Sequence, residues 1–180
     1  IGQQEGIEYL LKAAKYIKEL PGRNDVFWGI VGGGPDVEHM KKLSHDMGLD
    51  DIVEFTGRVP DQTLLDYLNT ADVCVNSDEY NAMNDKSTMN KVLEYMALGK
   101  PLVQFDLTEG RYSAQEASLY AKRNDAEDMA KKFLELLDNP EKRKQMGEYG
   151  RNRVIKELSW EHTSKALLAG YDRYFKMRGK

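Results

Sequence analysis

The chain has one cysteine, Cys74, so no disulfide can form within it, and nothing in its cysteine usage calls for an oxidising compartment. Cys74 sits in an apolar stretch, where a buried and inert thiol is expected. No apolar run is long enough to span a bilayer, and no signal-peptide pattern is visible. Basic excess is also missing: 26 Lys and Arg stand against 30 Asp and Glu, a net charge of −4. That argues against the broad basic surface of a nucleic-acid binder, though not against a local basic pocket. There is no low-complexity tract and no repeat of 20 to 50 residues. His39, His45 and His162 fall at no ligand spacing and form no triad with a serine. Asp78, Glu79 and Asp85 carry oxygen ligands but lack a calcium-loop spacing, so no metal is expected.

What is present is an alternation of short apolar runs and helical periods over 180 residues, the length of one domain. Ile7, Leu10, Leu11, Ala14 and Ile17 recur at a 3.6 period and predict a first helix, stopped by Pro21-Gly22. Val26 to Val31 predicts a strand buried on both faces, followed by the turn Gly32-Gly33-Gly34-Pro35. Asp36 is a fair cap for a helix through Met47. Ile52 to Phe55 predicts a third element of strand type, and Pro60 opens a helix with Leu64, Leu65 and Leu68 facing inward. Further strands are expected at Val73 to Val75, Leu102 to Phe105 and Ser118 to Ala121. Leu107 to Arg111 reads as a polar loop, and helices follow from Asp125, from Glu141 to Leu158 and from Trp160 to Met177. The pattern predicts an α/β fold: a Rossmann-like, doubly wound parallel sheet of about six strands with extra C-terminal helices.

The stretch from Ala71 to Asp106 organises the rest. A short strand leads into the long polar loop Asn76 to Ser87, then a helix opening near Thr88 with Met89, Val92, Leu93 and Met96 on one face. Gly99 and Pro101 end it. In parallel sheets ligands bind beyond the carboxyl ends of the strands, where this loop lies. A helix N-terminus offers free N–H groups and a positive dipole end, so Ser87, Thr88, Met89, Asn90 and Lys91 form a seat for a phosphate. An ordinary helix capped by Ser or Thr gives the same local pattern. Glu94, inside that helix, is either an exposed ion-pair partner or an acceptor for the two hydroxyls of a ribose. Arg58 is a solvated loop arginine or a planar donor toward a base or phosphate. Gly32 to Gly34 lack the complete signatures of a P-loop or a dinucleotide site, yet lie between strand and helix where backbone can approach a ligand.

Several motifs occur in order along the chain: Gln4-Glu5-Gly6-Ile7, Val31-Gly32-Gly33-Gly34-Pro35, Val53-Glu54-Phe55-Thr56-Gly57, Tyr67 to Val73, Glu94-Tyr95-Met96-Ala97-Leu98-Gly99-Lys100-Pro101, and Asn139-Pro140 with Met146-Gly147 and Ser159-Trp160. Together they resemble the C-terminal, donor-binding half of a family 4 glycosyltransferase of GT-B architecture. The resemblance implies that residues 1–180 form the nucleotide-sugar-binding domain, with the N-terminal acceptor domain outside this stretch. The chain opens on Ile1 rather than Met, in keeping with a piece of a longer protein.

It further implies retaining transfer from a nucleotide-diphosphate sugar, UDP-linked, in cell-envelope polysaccharide synthesis, without cofactor or metal. The expected partners are that donor and the acceptor domain, with no nucleic acid. The implied location is cytoplasmic, with peripheral contact at the inner face of the membrane through the full protein. Carried onto this chain, Glu94 would hold the ribose, Met89 to Lys91 the diphosphate, Ser87 and Thr88 the sugar, and Arg58 the base. Gly32 and Gly34 belong to the ligand-facing turn. Lys86 stands where the family often has a glutamate, so the catalytic residue is left unassigned, and Glu5 replaces a usual phosphate-binding lysine. Loss of that cation costs about 1.5–3 kcal/mol, the scale of a charge-assisted hydrogen bond. The isolated half is expected to be inactive. A non-catalytic nucleotide-binding module or a protein-interaction domain of the same fold is the alternative.

Overall fold

The computed structural model describes residues 1–179. Five strands alternate with helices: β1 (Trp28–Val31), β2 (Val53–Gly57), β3 (Cys74–Asn76), β4 (Leu102–Phe105) and β5 (Ser118–Ala121). All neighbours are parallel, but they form two sheets, β1-β2 and β3-β4-β5, with no ladder joining them among the described residues. The fold is therefore α/β and parallel as expected, with five strands rather than about six.

The helices are α1 (Ile7–Lys18), α2 (Val37–Asp46), α3 (Asp61–Thr70), α4 (Asn90–Ala97), α5 (Thr108–Ala114), α6 (Ala126–Leu137), α7 (Pro140–Arg153) and α8 (Trp160–Met177). α1 and α6 pack together on one side, where Leu11, Ile17, Trp28, Phe105, Met129 and Leu136 make the main core. Trp28 meets Phe133 edge-on at 4.7 Å between ring centroids. On the other side Cys74, Val92, Met96, Leu102, Ala114 and Ala117 make a second cluster under α4. A sheet covered on both faces gives β4 four consecutive buried residues.

Some expectations fail locally. β1 is shorter than Val26 to Val31 and alternates: Trp28 and Ile30 are buried while Gly29 is exposed and Phe27 is 63% exposed. One of its faces looks into a cleft instead of a helix layer. α3 buries none of its residues; Leu64 and Leu68 line that cleft and Leu65 is exposed. Thr108 to Ala114 is a helix, not a loop, because buried Gly110 lets it approach β4, where a Cβ would stand 2.7 Å from Gln104 Oε1. The helix after Asn139 passes into a π-turn from Val154 to Leu158 before α8 begins. α8 buries none of its residues and exposes Leu168, Tyr171 and Met177. Among the described residues no helix is long and apolar enough to cross a membrane.

Candidate functional site

A cavity of about 1010 Å³ opens at the carboxyl ends of β1 and β3 and runs down between the two sheets. Gly32 and Gly33 form one wall of its mouth; Asn90, Lys91 and Glu94 from α4 form the other. Glu5 and Ser77 lie between them, and Tyr67, Leu68 and Val75 are among the residues deeper in.

α4 starts at Asn90, later than Thr88, because the two hydroxyls expected at its start turn elsewhere. Ser87 donates to the Met83 carbonyl at 2.7 Å, and Thr88 donates to Glu109 Oε1 at 2.8 Å. The N-cap position falls to Met89, which packs against the second apolar cluster and offers no side-chain acceptor. The ordinary capped helix is thus not what forms. The first turn has no acidic residue and no side-chain cap, so its leading N–H groups remain available to an incoming anion.

Glu94 lies one turn inside α4. Its carboxylate is exposed, lines the cavity and has no hydrogen-bond or ion-pair partner among the described residues. Lys91 precedes it by three positions, a spacing that normally allows a helix ion pair. Lys91 instead reaches Asp78 Oδ1 at 2.8 Å. Asp78 is only 2% exposed, and its other oxygen, Oδ2, has no partner. Burial pushes the Asp78 carboxyl above its ordinary value, with the Lys91 charge pulling the other way.

The loop that carries Asp78 is stitched to the start of the chain. Ser77 donates to the Glu5 carbonyl at 2.7 Å, Glu79 N–H to the Gln4 carbonyl at 3.1 Å, and the Asn84 amide to the Gln4 and Glu79 carbonyls. Gly6 has φ 61°, and a Cβ there would stand 2.1 Å from the Ser77 carbonyl oxygen, so a side chain is barred twice over. Farther out, Asp85 accepts from the Thr108 N–H at 2.9 Å and from its hydroxyl, which ties the loop to α5.

The remaining residues singled out from sequence fall outside the cavity wall. Gly34 backs onto the backbone of Ile1. Arg58 is exposed just beyond β2, and Lys86 is exposed at the end of a 3-10 turn. Asp78 and Asp85 take separate partners, and among the described residues no three His, Cys, Asp or Glu stand together to hold a metal ion.

The profile of the family described as glycosyl transferases group 1 matches residues 1–153. The chain belongs to that family. A GDP-mannose-dependent α-(1-6)-phosphatidylinositol monomannoside mannosyltransferase of Mycobacterium tuberculosis is 32% identical to this group 1 chain, over 80% of its length and 38% of that protein. The solved sucrose-phosphate synthase of Thermosynechococcus elongatus superimposes with a TM-score of 0.84 at 23% identity, covering 98% of this chain and 44% of that one. A variant of S. aureus TarM, crystallised with fondaparinux, alpha-GlcNAc-glycerol and UDP, gives a TM-score of 0.80 at 20% identity over 97% and 33% of the two chains. The fold is that of the GT-B glycosyltransferases, and the chain spans less than half the length of the curated relatives it matches.

Within this group 1 chain, sequence reasoning brought Gly32, Asn90, Lys91 and Glu94 to one cavity and missed the Asp78–Lys91 pair. Thirteen positions separate the two residues, across a loop and a helix start, and no periodicity links them.

Proposed function

We propose that this chain is the donor-binding half of a retaining glycosyltransferase that moves a sugar from a nucleoside diphosphate to an acceptor. One observation carries the reading: an uncapped helix start and a partnerless carboxylate one turn inside it share a wall of the same cavity. The diphosphate sits against the amides that open α4, and Glu94 accepts the ribose hydroxyls. As the glycosidic bond breaks, charge grows on the leaving diphosphate. Fixed N–H dipoles aimed there stabilise the transition state without reorganising, and no metal is required by this scheme. Retention rests on the family resemblance.

Two donor nucleotides have support from proteins similar to this chain: the mycobacterial enzyme is named for GDP-mannose, and TarM was crystallised with UDP. UDP is our first choice. The acceptor half belongs to the rest of the protein, and α8 resembles the helix that returns to it, which fits its exposed apolar side chains. A second reading, nucleotide binding without transfer, is favoured by Lys86, which is exposed and off the cavity wall where the family often has a glutamate.

The test is Glu94→Gln in the full-length protein. Calorimetric titration with UDP and GDP should show affinity falling about tenfold or more, as expected for losing a charged acceptor. The melting temperature should stay put, since the Glu94 carboxylate has no hydrogen-bond or ion-pair partner among the described residues. Unchanged affinity for both nucleotides would refute the site. Transfer from a panel of donors, undiminished by EDTA, would exclude the second reading.

A further inference from the structure

Lys91 is out of place by the ordinary rules of helices. It stands in the first turn of α4, where a cation faces the positive end of the helix dipole. It also ignores Glu94, its neighbour at i+3, and reaches back to Asp78. Asp78 is a carboxylate almost wholly inside the protein, with one oxygen on Lys91 and the other without a partner. A buried carboxylate with a single cationic partner is a weak stabiliser of a fold, because desolvation offsets most of the attraction. As a device for fixing the position of an ammonium group, it is effective.

The Lys91 side chain is 31% exposed on the cavity side, and an ammonium carries three donors, of which Asp78 uses one. Between the two walls of the mouth, position 5 holds an acid: Glu5 lines the same cavity and accepts from the Gly2 N–H at 2.6 Å. The wall that meets the phosphates therefore takes its positive charge from α4 and not from the first loop.

Resting on the nucleoside-diphosphate reading above, we propose that Lys91 is the diphosphate-binding cation of this site and that Asp78 is its positioning residue. Asp78 holds the ammonium beside the opening amides of α4, so that backbone dipoles and side-chain charge converge on the same phosphate oxygens. Asp78 offsets the Lys91 charge in the empty site and Glu5 and Glu94 add acids on the same cavity, so the attraction for a diphosphate comes from the two remaining Lys91 donors together with the opening amides of α4.

The experiment compares Lys91→Met, Lys91→Arg, Asp78→Asn and the double variant K91M/D78N in the full-length protein. UDP and GDP are titrated alongside uridine and guanosine, with a thermal melt on each variant. Lys91→Met should weaken the diphosphates about tenfold or more, the scale of one charge-assisted bond, and leave the nucleosides within about twofold. Asp78→Asn should show a smaller loss of the same kind, and the double variant should be no worse than Lys91→Met alone. Lys91→Arg should recover part of the loss. Diphosphate affinity unchanged in Lys91→Met, or equal losses for diphosphates and nucleosides, would overturn the assignment. Additive losses in the double variant would remove Asp78 from it. If Asp78→Asn fails to fold, the Lys91 variants alone decide whether the cation acts on phosphate. Should the wild-type protein bind neither diphosphate, the functional reading itself falls. Wild-type binding that Glu94→Gln weakens and Lys91→Met does not would sink only this inference.

Discussion

Arg153 shows how far a single side chain can act from any motif. It is nearly buried, and its guanidinium donates to the carbonyls of Ser113 and Tyr112, each at 3.0 Å, while Nη1 pairs with Glu157. Those carbonyls belong to the last turn of α5, which its own helix leaves unpaired. Arg153→Met should cost about 2–4 kcal/mol, since buried acceptors lose charged donors, and a thermal or urea melt will show it. A lysine there has no fork to reach both carbonyls and should restore little. Cys74 gives a residue-scale test of a different kind. Burial pushes its thiol up to about 12, against the pull of Lys100, so the folded chain should resist iodoacetamide at pH 8 and react only once unfolded. The inertness of Cys74 was legible in its apolar neighbours. Arg153 was not, because its partners are backbone atoms forty residues back, and a backbone carbonyl leaves no trace in a sequence.

At the scale of elements, α4 is built to bind rather than to be stable. Its first turn lacks the acid or cap that helices usually carry there. Asn90→Asp would place a negative charge at the first helical position, on an exposed cavity-facing site. Stability should rise by about 0.3–1 kcal/mol, while diphosphate affinity should fall. A melt and a UDP or GDP titration on the same variant read both signs at once, and a rise in both would contradict the phosphate seat. Sequence placed this helix and its buried face correctly, since Val92 and Met96 follow the helical period. Its start was misjudged by two residues because Ser87 and Thr88 are chemically fit to cap it. Which oxygen they bond is decided by Met83 and Glu109, neither of which local propensity weighs. α5 was missed for a related reason: Gly110 argues against a helix until one sees the β4 side chain it must clear.

The molecule as a whole should lose stability in acid. Asp106 is held below the ordinary carboxylate value by Arg111, which donates to both its oxygens, and Asp85 is lowered by the Thr108 N–H. Asp51 and Asp46 are lowered by hydrogen bonds from Lys18 and Lys42. Glu5 is lowered too, its burial outweighed by the Gly2 N–H, the N-terminal ammonium and Lys91 together. A carboxyl depressed in the folded state contributes stability above its unfolded value, and loses it as pH falls through the folded one. Asp78 has the opposite sign, raised by burial, so its contribution fades as pH climbs through its folded value. Five groups against one predict a melting temperature that drops below about pH 4, the unfolded carboxylate range. Melts from pH 7 to pH 3 will check it, and Asp78→Asn should flatten any decline as pH rises from about 4, the unfolded carboxylate value. The alternation of strands and helices was plain in the sequence. The division of the strands into two sheets was not, since hydrophobic runs say which segments are strands and nothing about whether two of them pair.

That division has a mechanical consequence. Between β1 and β3 the described residues share no main-chain ladder, and contact across the gap is made by side chains such as Trp28 and Ile30 against the main core. Prising the two parts apart along this line would break no sheet hydrogen bond. Amide exchange should therefore resolve two cooperative units, one holding β1 and β2 and the other β3 to β5, each opening on its own schedule. A nucleotide touching both lips of the crevice would act as a rivet, merging the two exchange regimes into one.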